Sequence, residues 1–141
     1  MKKTLKITAL ALVLVLCLAA LASCAGSSFG KIQKNFEKEG YVLHSSVDSS
    51  YETEEGKEIN YTIHTFKKPG TGIEALVAPS ATVYEFASAK DVATAKEEIG
   101  EVKAVLEKVQ DERYIKGNCV LMTPPVFNAD AEAIFNGESP D

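Results

Sequence analysis

The chain of 141 residues is predicted to fold as one small α+β domain, with helices packed on one face of a mostly antiparallel, four-stranded sheet. Three observations carry this prediction. A helical apolar spacing runs through Val92, Ala95, Ile99, Val102, Leu106 and Val109. Two alternating stretches, Tyr41 to Val47 and Ile59 to Thr65, flank a polar acidic segment. Turn residues separate these from shorter periodic pieces, giving the order α-β-β-β-α-β-α over residues 29–137.

The first helix opens at Phe29 and closes at Gly40. Phe29, Ile32 and Phe36 lie at i, i+3 and i+7, Ser28 can cap the start, and Gly40 suits the left-handed residue that ends a helix. Lys31, Lys34 and Lys38 repeat the same spacing on the opposite side, so the helix opposes an apolar to a basic face.

In the first strand Tyr41, Leu43, Ser45 and Val47 are expected to point one way; in the second, Ile59, Tyr61, Ile63 and Thr65. Asp48 to Lys57 reads as a loop. A hairpin centred near Glu54 sets 41 against 67, 43 against 65 and 47 against 61, keeping both apolar sets on one side. It also sets His44 directly opposite His64, on the other face.

Lys67 to Gly72 is turn chemistry, and Ile73 to Phe86 reads as one strand or two, broken at Pro79. Ser88 with Asp91 has the form of a capping box ahead of the long helix, which Gly100 either kinks or divides. Tyr114 to Met122 is expected as the last strand. Asn128 to Asn136 is a short helix with Ala131, Ile134 and Phe135 inward and Gly137 as its stop, before a polar tail at 138–141.

The N-terminus stands apart. Lys2, Lys3 and Lys6 precede an apolar run from Ile7 to Leu21, which ends in Ala22 and Ser23, the parts of a secretory signal. The run is shorter than the roughly 20 apolar residues that a transmembrane helix needs. Leu21-Ala22-Ser23-Cys24 resembles the lipobox of bacterial lipoproteins: an aliphatic residue, two small ones and a Cys. The resemblance implies cleavage of residues 1–23, diacylglyceryl and further acyl chains on Cys24, and attachment to a cell membrane or outer membrane, facing away from the cytoplasm. An ordinary secretory signal whose cut site is followed by a chance Cys, or an uncleaved anchor, is the alternative. Ala25 after Cys24 gives no inner-membrane retention signal. Residues 24–28 then form a short tether, spanning about 17 Å at most from Cys24 to Phe29. That length sets the domain against the headgroups, and the Lys31/Lys34/Lys38 face either turns toward anionic lipid or is a solvated helix face.

From Cys24 onward 12 basic residues stand against 20 acidic ones, a net charge of −8. No basic stripe interleaved with aromatics occurs, so nucleic acid is not an expected partner. Cys17 leaves with the leader and Cys24 is taken by lipid, which leaves Cys119 unpaired in strand-like surroundings, a core thiol by its context.

Chemistry-bearing motifs are few. His44 and His64, the two histidines, are the candidate metal ligands, against a reading as ordinary exposed imidazoles; a third ligand is not identifiable. Asp48 to Gly56 has alternating oxygen side chains but not the glycine and distal glutamate of a calcium loop. Gly70-Thr71-Gly72 would cradle phosphate only by opening a helix, and the following residues read as extended. No catalytic signature is present and no cofactor is expected. In layout the mature domain resembles small secreted lipoproteins of unknown function. The expected role is that of a non-enzymatic module contacting another envelope protein or a small ligand through the free sheet face, with Asn60, Thr62 and His64, or through the acidic hairpin loop. Metal handling by His44 and His64 and an unrecognised hydrolase are the alternatives.

Overall fold

A computed structural model describes residues 28–140. Cys24, the leader and most of the tether lie outside them. The elements in order are α1 (Ser28–Lys38), β1 (Val42–Glu52), β2 (Glu58–Lys67), α2 (Ile73–Val77), β3 (Ser80–Phe86), α3 (Ala89–Glu98), α4 (Gly100–Leu106), α5 (Asp111–Tyr114), β4 (Ile115–Lys116), β5 (Cys119–Leu121) and α6 (Ala131–Phe135). The sheet is antiparallel throughout, in the order β1-β2-β3-β5-β4.

The α+β class stands, but the sheet has five strands where four were expected. The segment read as one strand from Tyr114 to Met122 turns back on itself at Gly117-Asn118, so that Lys116 pairs with Cys119. Gly117 supplies a left-handed φ of 60° at the first turn position, which a two-residue hairpin with Gly in that place requires. A Cβ there would also collide with the side chain of Ser28.

Helices cover both faces, not one. On β3, Ala81 and Val83 are buried, and so are Tyr84 and Phe86; all three residues of β5 are buried. Successive strand residues point to opposite faces, so both faces of the central strands are out of water. Phe29 and Phe36 of α1 lie on the face that carries His64 and Phe66. Helices α3 and α4 lie on the other, where Tyr61, Tyr84 and Phe86 form an aromatic cluster and Tyr84 meets Glu101. The unbroken apolar character of Cys119-Val120-Leu121 is the sequence signature of a strand buried on both sides.

The hairpin turns one residue later than expected, with Tyr51 against Ile59 and Glu52 against Glu58. A shift of the centre by one moves each pairing by two, so side chains near the turn keep their faces. The expected loop is correspondingly shorter: β1 runs to Glu52, and the Thr53–Lys57 turn closes through Thr53 N–H to the Lys57 carbonyl at 2.8 Å. At the other end of β1 the register slips. Leu43 faces Phe66 and Ser45 faces Thr65, leaving His44 as the extra residue of a β-bulge. Tyr41 and Leu43 therefore join the α1 face, while Ser45 and Val47 stay on the α3 face with Ile63, and the single apolar set expected from Tyr41 to Val47 is split.

Ile73–Val77 is a short exposed helix, not a strand. The long periodic segment is two helices joined at Ile99, whose backbone is extended (φ −83°, ψ 107°). The apolar phase nonetheless continues across the break, with Val92, Ala95, Ile99, Val102 and Leu106 all buried. Ser88 caps α3 by accepting from the Asp91 N–H at 3.2 Å. Arg113 pairs with Glu132 and Glu138, tying α5 to α6 and to the start of the polar tail.

Candidate functional site

Alternation along paired strands brings Ser46 and Asp48 of β1, Asn60, Thr62 and His64 of β2, and Glu85 of β3 onto one face. Helix α1 covers this face only as far as His64. The Phe29 ring stacks on the imidazole with centroids 3.7 Å apart and an interplanar angle of 17°, and Phe36 stacks on Phe66 further along. Beyond His64 the polar half of the face is bare. A depression of about 470 Å³ lies there, lined by Asp48, Asn60, Thr62, Glu85, Phe86 and Asn118 among others, and its lining contains no Lys, Arg or His.

The polar groups at and beside the depression are held in place by one another. Thr62 donates to Asp48 at 3.0 Å, and the Asn118 side-chain amide donates to the Phe86 carbonyl at 2.6 Å. His64, 6% exposed, lies between Ser46 Oγ (2.7 Å from Nδ1) and Glu85 Oε1 (3.0 Å from Nε2). With Glu85 ionised, the neutral tautomer that satisfies both partners donates from Nε2 to Glu85 and accepts the Ser46 O–H at Nδ1.

Ser46, His64 and Glu85 thus share the hydroxyl-imidazole-carboxylate order of a serine relay, with the ring nitrogens exchanged relative to the usual arrangement. An oxyanion forming at Ser46 would build up on a face that carries the Asp48 and Glu85 carboxylates, whose charges oppose it. The relay holds β1 to β2 and β3 and fixes Glu85 at the edge of the depression.

The structure does not bring His44 and His64 together. His44 is exposed in the bulge, and Ser46 takes the position across from His64. Among the described residues no three or more His, Cys, Asp or Glu side chains gather in a way that could hold a metal ion. Lys31, Lys34 and Lys38 are exposed on α1, opposite the buried Ile32 and Phe36. Gly70-Thr71-Gly72 does open a helix after a strand, contrary to the extended reading, but the five residues of α2 have neither a side-chain cap nor a buried residue. So short a helix forms little of the aligned dipole that a phosphate site uses.

Sequence reasoning set His44, not Ser46, across from His64, and it missed Glu85. The signal for Ser46 was present but hidden by the bulge, and Glu85 needed the β2–β3 register, in which His64 faces Val83. Cys119 is fully buried on this same face beside Glu85, and its thiol is pushed up to about 12, first by burial and then by the Glu85 charge. In a Cys24→Ser chain beginning at residue 24, Ellman's reagent at pH 8 is expected to leave Cys119 unmodified until denaturant is added. Rapid native labelling would contradict this placement.

The chain was set against protein-family models, curated proteins and solved structures. It matches none of them.

Proposed function

We propose that this chain is a lipid-anchored protein of the bacterial envelope that binds a polar, cation-bearing ligand on the uncovered end of its sheet and is not itself an enzyme. The address rests on Leu21-Ala22-Ser23-Cys24. The binding role rests on one observation, the bare polar depression beyond His64. Its lining offers two carboxylates, an asparagine amide pair and a hydroxyl without any cationic side chain, within a domain of net charge −8. Such a surface attracts ammonium and guanidinium groups and speeds their encounter at low salt. On this reading a tether of at most about 17 Å from Cys24 to Phe29, whose ring covers His64, would keep the site close to the membrane.

Metabolic labelling with a palmitate analogue is expected to mark the chain and to fail in Cys24→Ser; equal labelling of both would remove the anchor. For the binding role, spermidine titrated into the unlipidated chain is expected to shift the NMR signals of Asp48, Asn60, Thr62 and Glu85. Asp48→Asn should weaken that binding about tenfold, the scale of a lost charge-assisted hydrogen bond. Shifts spread over the whole acidic surface, unaffected by Asp48→Asn, would count against the site.

The Ser46–His64–Glu85 relay favours a second reading, acyl transfer at Ser46. A fluorophosphonate adduct on Ser46 that is lost in Ser46→Ala and in His64→Gln would put the second reading in place of the first.

A further inference from the structure

The two ends of the sheet differ in character. At one end, the turn after β1 carries Glu52, Glu54, Glu55 and Glu58, all exposed. At the other end two loops project. Residues 69–79 leave β2 and return to β3, closed at the base by the Lys68 N–H on the Pro79 carbonyl at 3.2 Å. Residues 122–130 lead from β5 to α6. Thr123 Oγ1 accepts the Thr82 N–H at 2.8 Å, and the Asn128 amide donates to the Ser80 carbonyl at 3.0 Å and to the Tyr41 hydroxyl at 2.9 Å. Both loops are thereby fastened at their bases to the start of β3, at the same end of the sheet. Their tips carry Ile73 (79% exposed), Leu76 (84%), Val77 (77%), Val126 (83%) and Phe127 (78%).

Lone exposed apolar residues are ordinary on a surface, whereas five large ones projecting from two neighbouring loops require an apolar neighbour. Lys67 and Lys68 lie at the root of the first loop, and the Lys68 ammonium sits 5.3 Å above the Tyr41 ring. Glu74 on α2 and Asp130, three residues after Phe127, offset these lysines locally, so the attraction is chiefly apolar. The acidic turn occupies the end of the sheet away from the tip, which orients the tip toward an anionic surface and the turn away from it.

We propose that Ile73, Leu76, Val77, Val126 and Phe127 form a membrane-insertion tip that enters the headgroup–acyl boundary of the bilayer holding the Cys24 lipid. This builds on the lipid-anchor reading. Helix α1 runs from Phe29 to Lys38, about 15 Å at 1.5 Å per residue, and its C-terminal end lies at Tyr41, beside the root of the tip. The tether from Cys24 to Phe29 spans up to about 17 Å. Anchor and tip therefore reach one plane when α1 lies along the surface, with Lys31, Lys34 and Lys38 available to the headgroups. The tip gives the acylated protein a second attachment point and fixes its orientation.

The sequence contains no Trp, so a single introduced Trp reports its own surroundings. The chain from residue 24 with Cys24→Ser retains the whole described core and separates tip insertion from acylation. In this form Leu76→Trp and Phe127→Trp are expected to shift to shorter emission wavelength with phosphatidylcholine/phosphatidylglycerol vesicles and to be quenched by brominated acyl chains. Glu54→Trp, in the acidic turn, should do neither. Leu76→Asp with Phe127→Asp should lower the vesicle-bound fraction about tenfold or more while leaving the circular dichroism spectrum unchanged, because both residues are exposed. No lipid-dependent change at positions 76 and 127, or a blue shift that grows with protein concentration without lipid, would overturn the proposal, the latter showing that a second copy covers the tip. Loss of palmitate labelling would bear on the anchor alone and leave the vesicle result standing.

Discussion

Tyr41→Ala is expected to loosen α1 from the sheet, whereas deletion of His44 should leave the fold standing. The Tyr41 ring makes an edge contact with Phe36, 5.3 Å between centroids, and its hydroxyl accepts from the Asn128 amide. Losing a buried aromatic costs about 3–5 kcal/mol, and in a domain of this size that lowers Tm by on the order of 10–20 °C. His44 is the extra residue of the β1 bulge, and its side chain is exposed. Leu43 already faces Phe66 and Ser45 already faces Thr65, so taking His44 out joins two pairs that alternate in face and leaves Tyr41 and Leu43 on the α1 face. Thermal denaturation followed by circular dichroism, with tryptic cleavage at Lys31, Lys34 and Lys38 as a local readout, distinguishes the two. A deletion that destabilises as much as Tyr41→Ala would contradict this register.

Alkaline unfolding is the second large effect. Tyr84 is raised above its ordinary value by burial and then by the Glu101 carboxylate; Tyr41 is raised by burial, with Asp130 and Glu39 adding to it against the Asn128 hydrogen bond; Tyr114 is raised by burial and Glu132. All three are nearly inaccessible to solvent. In the unfolded chain these phenols lose their protons near pH 10, and in the folded chain only above it. The native state therefore holds more protons from pH 10 upward. The stability due to these groups is complete below pH 10 and is lost as pH rises toward the folded values. Tyr84, the most strongly raised of the three, adds about 1.4 kcal/mol per pH unit to the slope while it ionises only on unfolding, and Tyr41 and Tyr114 add to it in the same direction. Tyrosinate absorbance should rise together with loss of ellipticity, and Tyr84→Phe should reduce the slope of stability against pH above 10 by more than Tyr114→Phe does. Full ionisation of the three residues in a protein that remains folded would contradict their placement.

Local signals in the sequence were strong where one residue pattern decided one element. The three-and-four spacing from Val92 to Val109 marks α3 and α4 because only a helix gathers those side chains on one face, and the capping pair Ser88 and Asp91 marks its start. What stayed hidden depends on pairing across strands. The bulge at His44 leaves no local trace, since nothing in Leu43-His44-Ser45 distinguishes an extra residue from a regular one. The Ser46–His64–Glu85 contacts follow only once that register is known. Gly117-Asn118 did carry a hairpin signal, masked by apolar residues on both sides. Ile73–Val77 combines β-branched residues with helix formers, and with every side chain exposed no packing periodicity reveals its helical state.

The bulge in β1 also bears on how the protein behaves in crowded company. β1 is an outer strand of the sheet, eleven residues long, and a strand in that position offers unpaired backbone groups to any passing chain. At His44 the regular spacing of those groups is broken, so a foreign strand finds an uninterrupted row only from Ser45 to Glu52, where Asp48 and Glu52 place charge along it. The bulge that absorbs His44 while keeping Tyr41 in the core thus also shortens the stretch of β1 along which copies of the chain can join edge to edge.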